Sequence, residues 1–274
     1  MRFMTIDLPR QDYGDKVATL TCYLQDNIPA QAGRLRPAVI ICPGGGYHMC
    51  SEREGEPVAL AFAARGFQAF VLDYTVLDPA EAAQDKTLLP YALRDLAHAV
   101  LEVRENAEQW DIDEDRIVLA GFSAGGHLAA VYASVAHDWP FALEMGRLGR
   151  DLSVSAQILG YPVVDFSCGW PDDDVYAQAL TDDTGYAAAQ MLVGKDTPRT
   201  FIWHTADDGF VSVSNTLVYV DALTSVGVDV DCHIFHHGRH GLSLATDQTG
   251  ADEEHMDTHV ARWLDLALEW LDEG

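Results

Sequence analysis

The sequence has no C-x-x-C pair. Its five cysteines, Cys22, Cys42, Cys50, Cys168 and Cys232, are odd in number and scattered, which argues against a disulfide framework and against a zinc ribbon. Positive charge is scarce: 17 Lys and Arg stand against 43 Asp and Glu, a formal net charge of −26 at pH 7. Such a balance repels phosphate backbones and anionic lipid, so nucleic-acid and membrane partners are disfavoured. Long apolar runs are also missing. No stretch approaches the ~20 apolar residues of a membrane span, and the opening MRFMTIDLPRQDYGDK holds no run resembling a signal peptide. A soluble protein in a reducing, cytoplasmic setting is the expectation. Internal repeats and low-complexity linkers are absent as well.

What remains is an ordinary globular composition, 48% hydrophobic and 22% charged over 274 residues. A chain of this length can bury roughly 75% of its unfolded surface as a single domain, which we expect to span residues 1–274. Short apolar runs alternate with longer amphipathic ones. Val17–Leu24 alternates like a half-buried strand, whereas Ala38–Cys42 (AVIIC) is apolar throughout, as a strand covered on both faces should be. A helix is expected from about Glu54 to Arg65, closed by Gly66, then a strand at Phe67–Tyr74, a helix at Leu88–Glu108, a strand at Arg116–Phe122 and a helix at Gly125–Ala136. Strands at Ala156–Tyr161, Thr200–Thr205 and Val228–Phe235 follow, with helices at Val213–Val226 and His255–Leu271. Strands alternating with helices predict an α/β, doubly wound, mostly parallel sheet with helices on both faces. Between about residues 164 and 196 the rhythm breaks into an acidic stretch bearing aromatics (CGWPDDDVYAQALTDDTGYAAAQML), read as a small cap-like insertion over one end of the sheet.

Gly121-Phe122-Ser123-Ala124-Gly125 fits G-x-S-x-G, with the strand RIVLAGF running into it and the helix-compatible GGHLAAVYASVA leaving it. A strand-to-helix turn this tight strains the serine backbone and points its hydroxyl out from the strand's carboxyl end. A serine needs a base, and the base needs an orienting carboxylate. Asp207 and Asp208 follow the strand Thr200–Thr205; His236, His237 and His240 follow the next strand. Three strands thus deliver serine, aspartate and histidine to one edge. The run Cys42-Pro43-Gly44-Gly45-Gly46-Tyr47 lets backbone N–H groups approach a substrate carbonyl; those of Gly45, Gly46 and Ala124 are the expected oxyanion donors. A phosphate loop is the rival reading, but neither a G-K-[ST] ending nor G-x-G-x-x-G spacing is present.

PGGGY, S-x-R-E-G-E-P-V-A, GFSAGGHLAA, WHTADD and HGLSLA together resemble the alpha/beta-hydrolase-fold serine esterases of the acetyl-xylan and sugar-ester hydrolase branch, relatives of the hormone-sensitive-lipase-like carboxylesterases. The resemblance runs from about Ala38 to Leu271. It implies Ser123 as nucleophile, Asp208 as acid and His240 as base, with no metal, no cofactor and a short acyl group, acetyl foremost, on a carbohydrate alcohol. Pro43 stands where many lipase relatives carry histidine, as is usual in the sugar-ester branch, and Ser212 replaces the proline usual four residues after the acid. Asp207 competes for the acid role.

Ser51 and Arg53 lie just past the glycine loop as candidate substrate contacts, although Arg53 can equally pair with Glu54. Tyr47, Tyr74 and Tyr161 follow strand ends and either touch substrate or pack. His255 and His259, four apart on the expected last helix, lack the glutamate of H-E-x-x-H and read as a solvated face. Trp263 and Trp270 read as core. Acidic residues of the insertion, Asp172 to Asp174 and Asp182 and Asp183, read as a solvating surface away from the site, which favours a neutral acylated sugar. An amide hydrolase (peptidase or arylformamidase-like) on the same fold, or a non-catalytic binding protein, are the alternatives. A homodimer is compatible with the surface offered by the amino-terminal strand and the insertion.

Overall fold

The run RPAVIIC forms a strand, β3 (Arg36–Cys42), whose side chains alternate between two cores. Val39 and Ile41 face one and Ile40 the other, all fully buried, which is why Ala38–Cys42 carries no polar residue. Around it a computed structural model, which describes residues 1–273, sets eight strands in one sheet. The others are β1 (Arg2–Asp7), β2 (Thr19–Leu24), β4 (Gln68–Asp73), β5 (Ile112–Phe122), β6 (Ala156–Gly160), β7 (Arg199–Thr205) and β8 (Val230–Phe235). Their order is β1-β2-β4-β3-β5-β6-β7-β8, and every neighbour pair is parallel except β1–β2 and β2–β4. β1 lies beyond the segments singled out from the sequence. β5 starts earlier than expected, but its regular register with β3 begins only at Ala38 opposite Ile117, after an irregularity following the Arg36–Ile112 pair.

One face of the sheet carries the helices Leu89–Glu105, Ala124–Val135 and Ser214–Ser225; the other carries Glu56–Ala63 and Trp263–Asp272. All twelve residues of Ala124–Val135 are buried. On the opposite face Trp263 stacks on Trp203 of β7, with ring centroids 5.5 Å apart, and packs edge-on to Phe122. Trp263 and Trp270 are therefore core residues, as expected.

The last helix is shorter than the sequence pattern implied. It spans Trp263–Asp272, preceded by isolated turns at Glu253–His255 and Val260–Arg262. Asp257 is the cause: its carboxylate accepts the N–H groups of His259 and Val260, starting a new turn there. His255 and His259 consequently share no helix face. His255 Nδ1 bonds the Asp252 carboxylate at 2.7 Å, and His259 packs edge-on to Phe235. Among the described residues no helix is long and apolar enough to cross a membrane.

Asp95, on the helix Leu89–Glu105, is fully buried and accepts the Thr75 N–H at 2.8 Å. Burial pushes its carboxyl up from the ordinary 3.8 to about 6, against the opposing pull of Thr75. The unfolded chain therefore releases this proton before the folded one does, and between those pH values stability falls as pH rises, levelling off above pH 6. Asp95→Asn, uncharged throughout, is expected to gain about 2–3 kcal/mol relative to wild type between pH 4 and pH 7, read from urea unfolding at each pH. Trp263→Ala should cost about 3–5 kcal/mol in the same assay, because it empties the space between Trp203 and Phe122.

Candidate active site

β5 ends at Phe122 and the next helix begins at Ala124, so Ser123 alone makes the turn. Its φ of 53° and ψ of −121° lie in the left-handed half of conformational space, a strain of roughly 1–3 kcal/mol for a non-glycine residue. Packing enforces it. A Cβ on Gly125 would sit 2.1 Å from the Cys42 carbonyl oxygen and 2.3 Å from that of Pro43, so only glycine lets the helix approach β3 this closely. The exit of β6 clamps both ends of the turn: Ser123 N–H donates to Gly160 O, and Val163 N–H donates to Ser123 O, each at 3.1 Å.

The three residues matched from the sequence come together. Ser123 Oγ donates to His240 Nε2 at 2.8 Å, and His240 Nδ1 donates to Asp208 Oδ2 at 2.7 Å. A carboxylate only accepts, so the proton sits on Nδ1 and Nε2 is free to take the serine's. The Asp208 side chain is fully buried. Burial alone would raise its pKa, but hydrogen bonds from His204 and His240 and from the Phe210 amide hold the carboxyl well below the usual range. Its other oxygen, Oδ1, accepts the N–H groups of Phe210 and Val211 at 2.9 and 3.0 Å.

His204 escaped the sequence reading. Its Nε2 lies 3.3 Å from Asp208 Oδ2 and 3.0 Å from Val211 O, and its Nδ1 lies 2.9 Å from Thr216 Oγ1. The legible signal was a histidine four residues before the acid, at the end of a buried strand. Asp207, the rival acid, points elsewhere: it accepts from His237 Nδ1 and from Gly238 N–H, both at 2.8 Å. It latches the histidine loop to the aspartate loop. Hydrogen bonding to His237 is the main reason its carboxyl sits below the ordinary value.

In the glycine loop, Gly44 N–H is taken by Glu54 Oε2 at 2.7 Å. The N–H groups of Gly45, Gly46 and Ala124 find no protein acceptor among the described residues, leaving them free for a ligand oxygen. Glu54 is the second residue that the sequence reading undervalued. Its Oε1 accepts from Tyr161 OH at 2.6 Å, while that hydroxyl accepts from Ser243 N–H at 2.8 Å. Ser243 O in turn accepts from Trp263 Nε1 at 2.9 Å. Glycine loop, β6 exit and the segment after His240 are thus tied through one buried carboxylate. Arg53 does not pair with Glu54; its Nε donates to Thr249 O, and its Nη2 is buried without a partner.

These groups surround a cavity of about 570 Å³ whose walls include Gly45, Gly46, Ser51, Arg53, Ser123 and His240. Tyr47 lies outside it, correcting its candidacy as a substrate contact: it is fully buried with its hydroxyl on His127 Nδ1 at 2.9 Å. Tyr74 and Tyr161 are likewise buried, the former donating to Pro43 O at 2.6 Å beneath the glycine loop. The segment between β6 and β7 supplies Trp170, Pro171, Asp172 and Tyr176 to the cavity wall, and Tyr176 OH donates to Gly46 O. Asp172 is therefore beside the site, not on a remote solvent face as its composition suggested.

This strand order, with a serine on a left-handed turn at the carboxyl end of β5, defines an α/β-hydrolase fold. The chain belongs to the BD-FAE family, whose model matches residues 24–223. Endo-1,4-beta-xylanase B of Butyrivibrio fibrisolvens is 34% identical over 221 residues, covering 78% of this chain and 33% of that protein. Acetylxylan esterase of Xylanibacter ruminicola is 26% identical over 249 residues, covering 85% of this chain and 45% of that protein. The chain thus spans a third to under half the length of these curated relatives. The crystal structure of the carboxylesterase Cest-2923 from Lactobacillus plantarum WCFS1 superposes with a TM-score of 0.90 at 33% identity, covering 100% of this chain and 98% of that one.

Gly45 has a φ of +123°, and a Cβ there would lie 2.2 Å from Met49 O. Gly45→Ala must shift the loop, and hydrolysis of an aryl acetate is expected to fall about 10²-fold or more in kcat while the far-ultraviolet dichroism stays native.

Proposed function

We propose that this protein is a serine carboxylesterase that removes short acyl groups, acetyl foremost, from carbohydrate alcohols. The observation that carries the reading is the Ser123–His240–Asp208 relay, 2.8 and 2.7 Å long, beside three backbone N–H groups without protein acceptors. Ser123 Oγ attacks the ester carbonyl as His240 Nε2 takes its proton. The N–H groups of Gly45, Gly46 and Ala124 hold the resulting oxyanion, aided by the positive end of the helix Ala124–Val135. Collapse of the tetrahedral intermediate breaks the bond to the alcohol oxygen, which leaves with the proton from His240. Water, deprotonated by the same imidazole, then cleaves the acyl-enzyme to release the acid and restore Ser123. Asp208 stays ionised and fixes the imidazole tautomer throughout.

The acetyl and sugar assignments are supported by the acetylxylan esterase and xylanase relatives and by the carboxylesterase whose whole length this chain matches. Residues 164–196 act on this reading as a cap that narrows the entrance through Trp170 and Tyr176. The five unpaired cysteines support a reducing, cytoplasmic setting.

Wild type is expected to react with a fluorophosphonate probe and to release acetate from acetylated xylo-oligosaccharides. Ser123→Ala should abolish both; equal labelling of the two proteins would point to a non-catalytic role. Faster turnover of peptide or N-formyl-anilide substrates than of acetyl esters would replace ester with amide chemistry. Asp208→Asn should lose about 10³–10⁴ in kcat, and Asp207→Asn far less, about tenfold at most, because Asp207 touches neither His240 nor Ser123.

A further inference from the structure

Phe210 is a large apolar side chain left 61% exposed beside the site, on the loop that follows the acid. It lines the same cavity as Ser123, and its ring centroid lies 5.3 Å from that of His240. Set in a cavity wall, an exposed aromatic offers apolar area that a bound ligand can cover.

The chemistry proposed above says which part of the substrate lies there. His240 Nε2 must reach the departing alcohol oxygen, so the alcohol occupies space next to the imidazole. Two aromatic rings flank that imidazole. Tyr161, with its centroid 5.0 Å away, is fully buried and closes its side; Phe210 stands on the open side. The alcohol body is therefore directed over Phe210. The oxyanion side is closed differently: Trp170, only 8% exposed, approaches Gly46 so nearly that a Cβ there would lie 3.6 Å from its ring. Bulk is limited beside Gly46 and admitted beside Phe210.

The polar groups of the cavity narrow the alcohol further. Ser51 both donates and accepts, Asp172 accepts, and Arg53 lines the same wall. An apolar plate sharing a cavity with donors and acceptors suits a ring with one C–H face and hydroxyls around its edge. We propose that Phe210 is the platform on which the pyranose ring of the leaving alcohol stacks, with Ser51 and Asp172 hydrogen-bonding its hydroxyls. This rests on the esterase reading and names its alcohol subsite.

The test compares kcat/KM for three acetates that share one acyl-enzyme: a monoacetylated methyl β-xyloside, cyclohexyl acetate and ethyl acetate. In wild type the xyloside ester should be preferred to both. Phe210→Ala should lower the xyloside-to-ethyl ratio about tenfold, as expected for loss of one aromatic contact, and Phe210→Trp should retain it. A ratio unchanged in Phe210→Ala overturns the platform. Cyclohexyl acetate turned over as well as the xyloside overturns the hydroxyl contacts and leaves a merely hydrophobic subsite. Wild type releasing acetate from none of the three would instead defeat the esterase reading itself.

Discussion

Among the glycines, the tightest place for a Cβ is Gly125, where the amino-terminal turn of the helix Ala124–Val135 meets the Cys42 and Pro43 carbonyls at the exit of β3. Much of the site's geometry follows from it. With no room for a side chain at residue 125, β5 has to convert to helix within one residue, and Ser123 is left in a backbone conformation it would not choose alone. The same contact sets the glycine loop alongside the serine, because that loop begins at Pro43. Hydrogen bonds from the β6 exit hold the strained turn from the other side. Serine and N–H donors are thus positioned by the sheet itself, with little left to loop motion.

Two buried carboxylates complete that arrangement in different ways. Asp208 is saturated: two backbone amides fill one oxygen, and His240 and His204 share the other. A carboxylate so surrounded has one orientation available, and the imidazole it holds inherits that orientation. Glu54 works on the opposite wall, where one oxygen takes the Gly44 amide and the other the Tyr161 hydroxyl. Removing either partner of such a bond leaves a buried polar group without a mate, which generally costs more than the bond contributes. The two networks meet around His240, whose ring packs on Tyr161.

Much of this was legible in the sequence. The apolar runs located the strands because strands covered on both faces cannot hide their composition, and the serine, the aspartate pair and the histidine all fall at carboxyl ends of strands. The reading ran out where a single residue does two things. Glu54 looked like a partner for Arg53, since neighbours of opposite charge pair readily on paper; in the fold they point to different places. Tyr47 followed a strand end as a substrate contact would, yet its ring serves the core. Asp257 ended a helix that the apolar spacing alone carried on to His255, because a cap is a local hydrogen bond and leaves the spacing unchanged. Residues 164–196 interrupt the rhythm of strands and helices, but which of their acids faces the cavity depends on the course of the chain around Trp170 and Tyr176.

Asp172 acquires a further meaning from its place on the cavity wall. Ester cleavage turns a neutral molecule into an alcohol and an anion. On the proposed reading, the acetate is born beside a carboxylate, inside a protein whose net charge is −26. The field that is indifferent to the incoming neutral ester therefore acts on the product alone, and acts outward. Its reach is set by the ions around it, about 8 Å in physiological salt, a distance comparable to the size of the cavity. On that reading the acidity of the chain gives the site a direction, its charge acting on departure and not on entry.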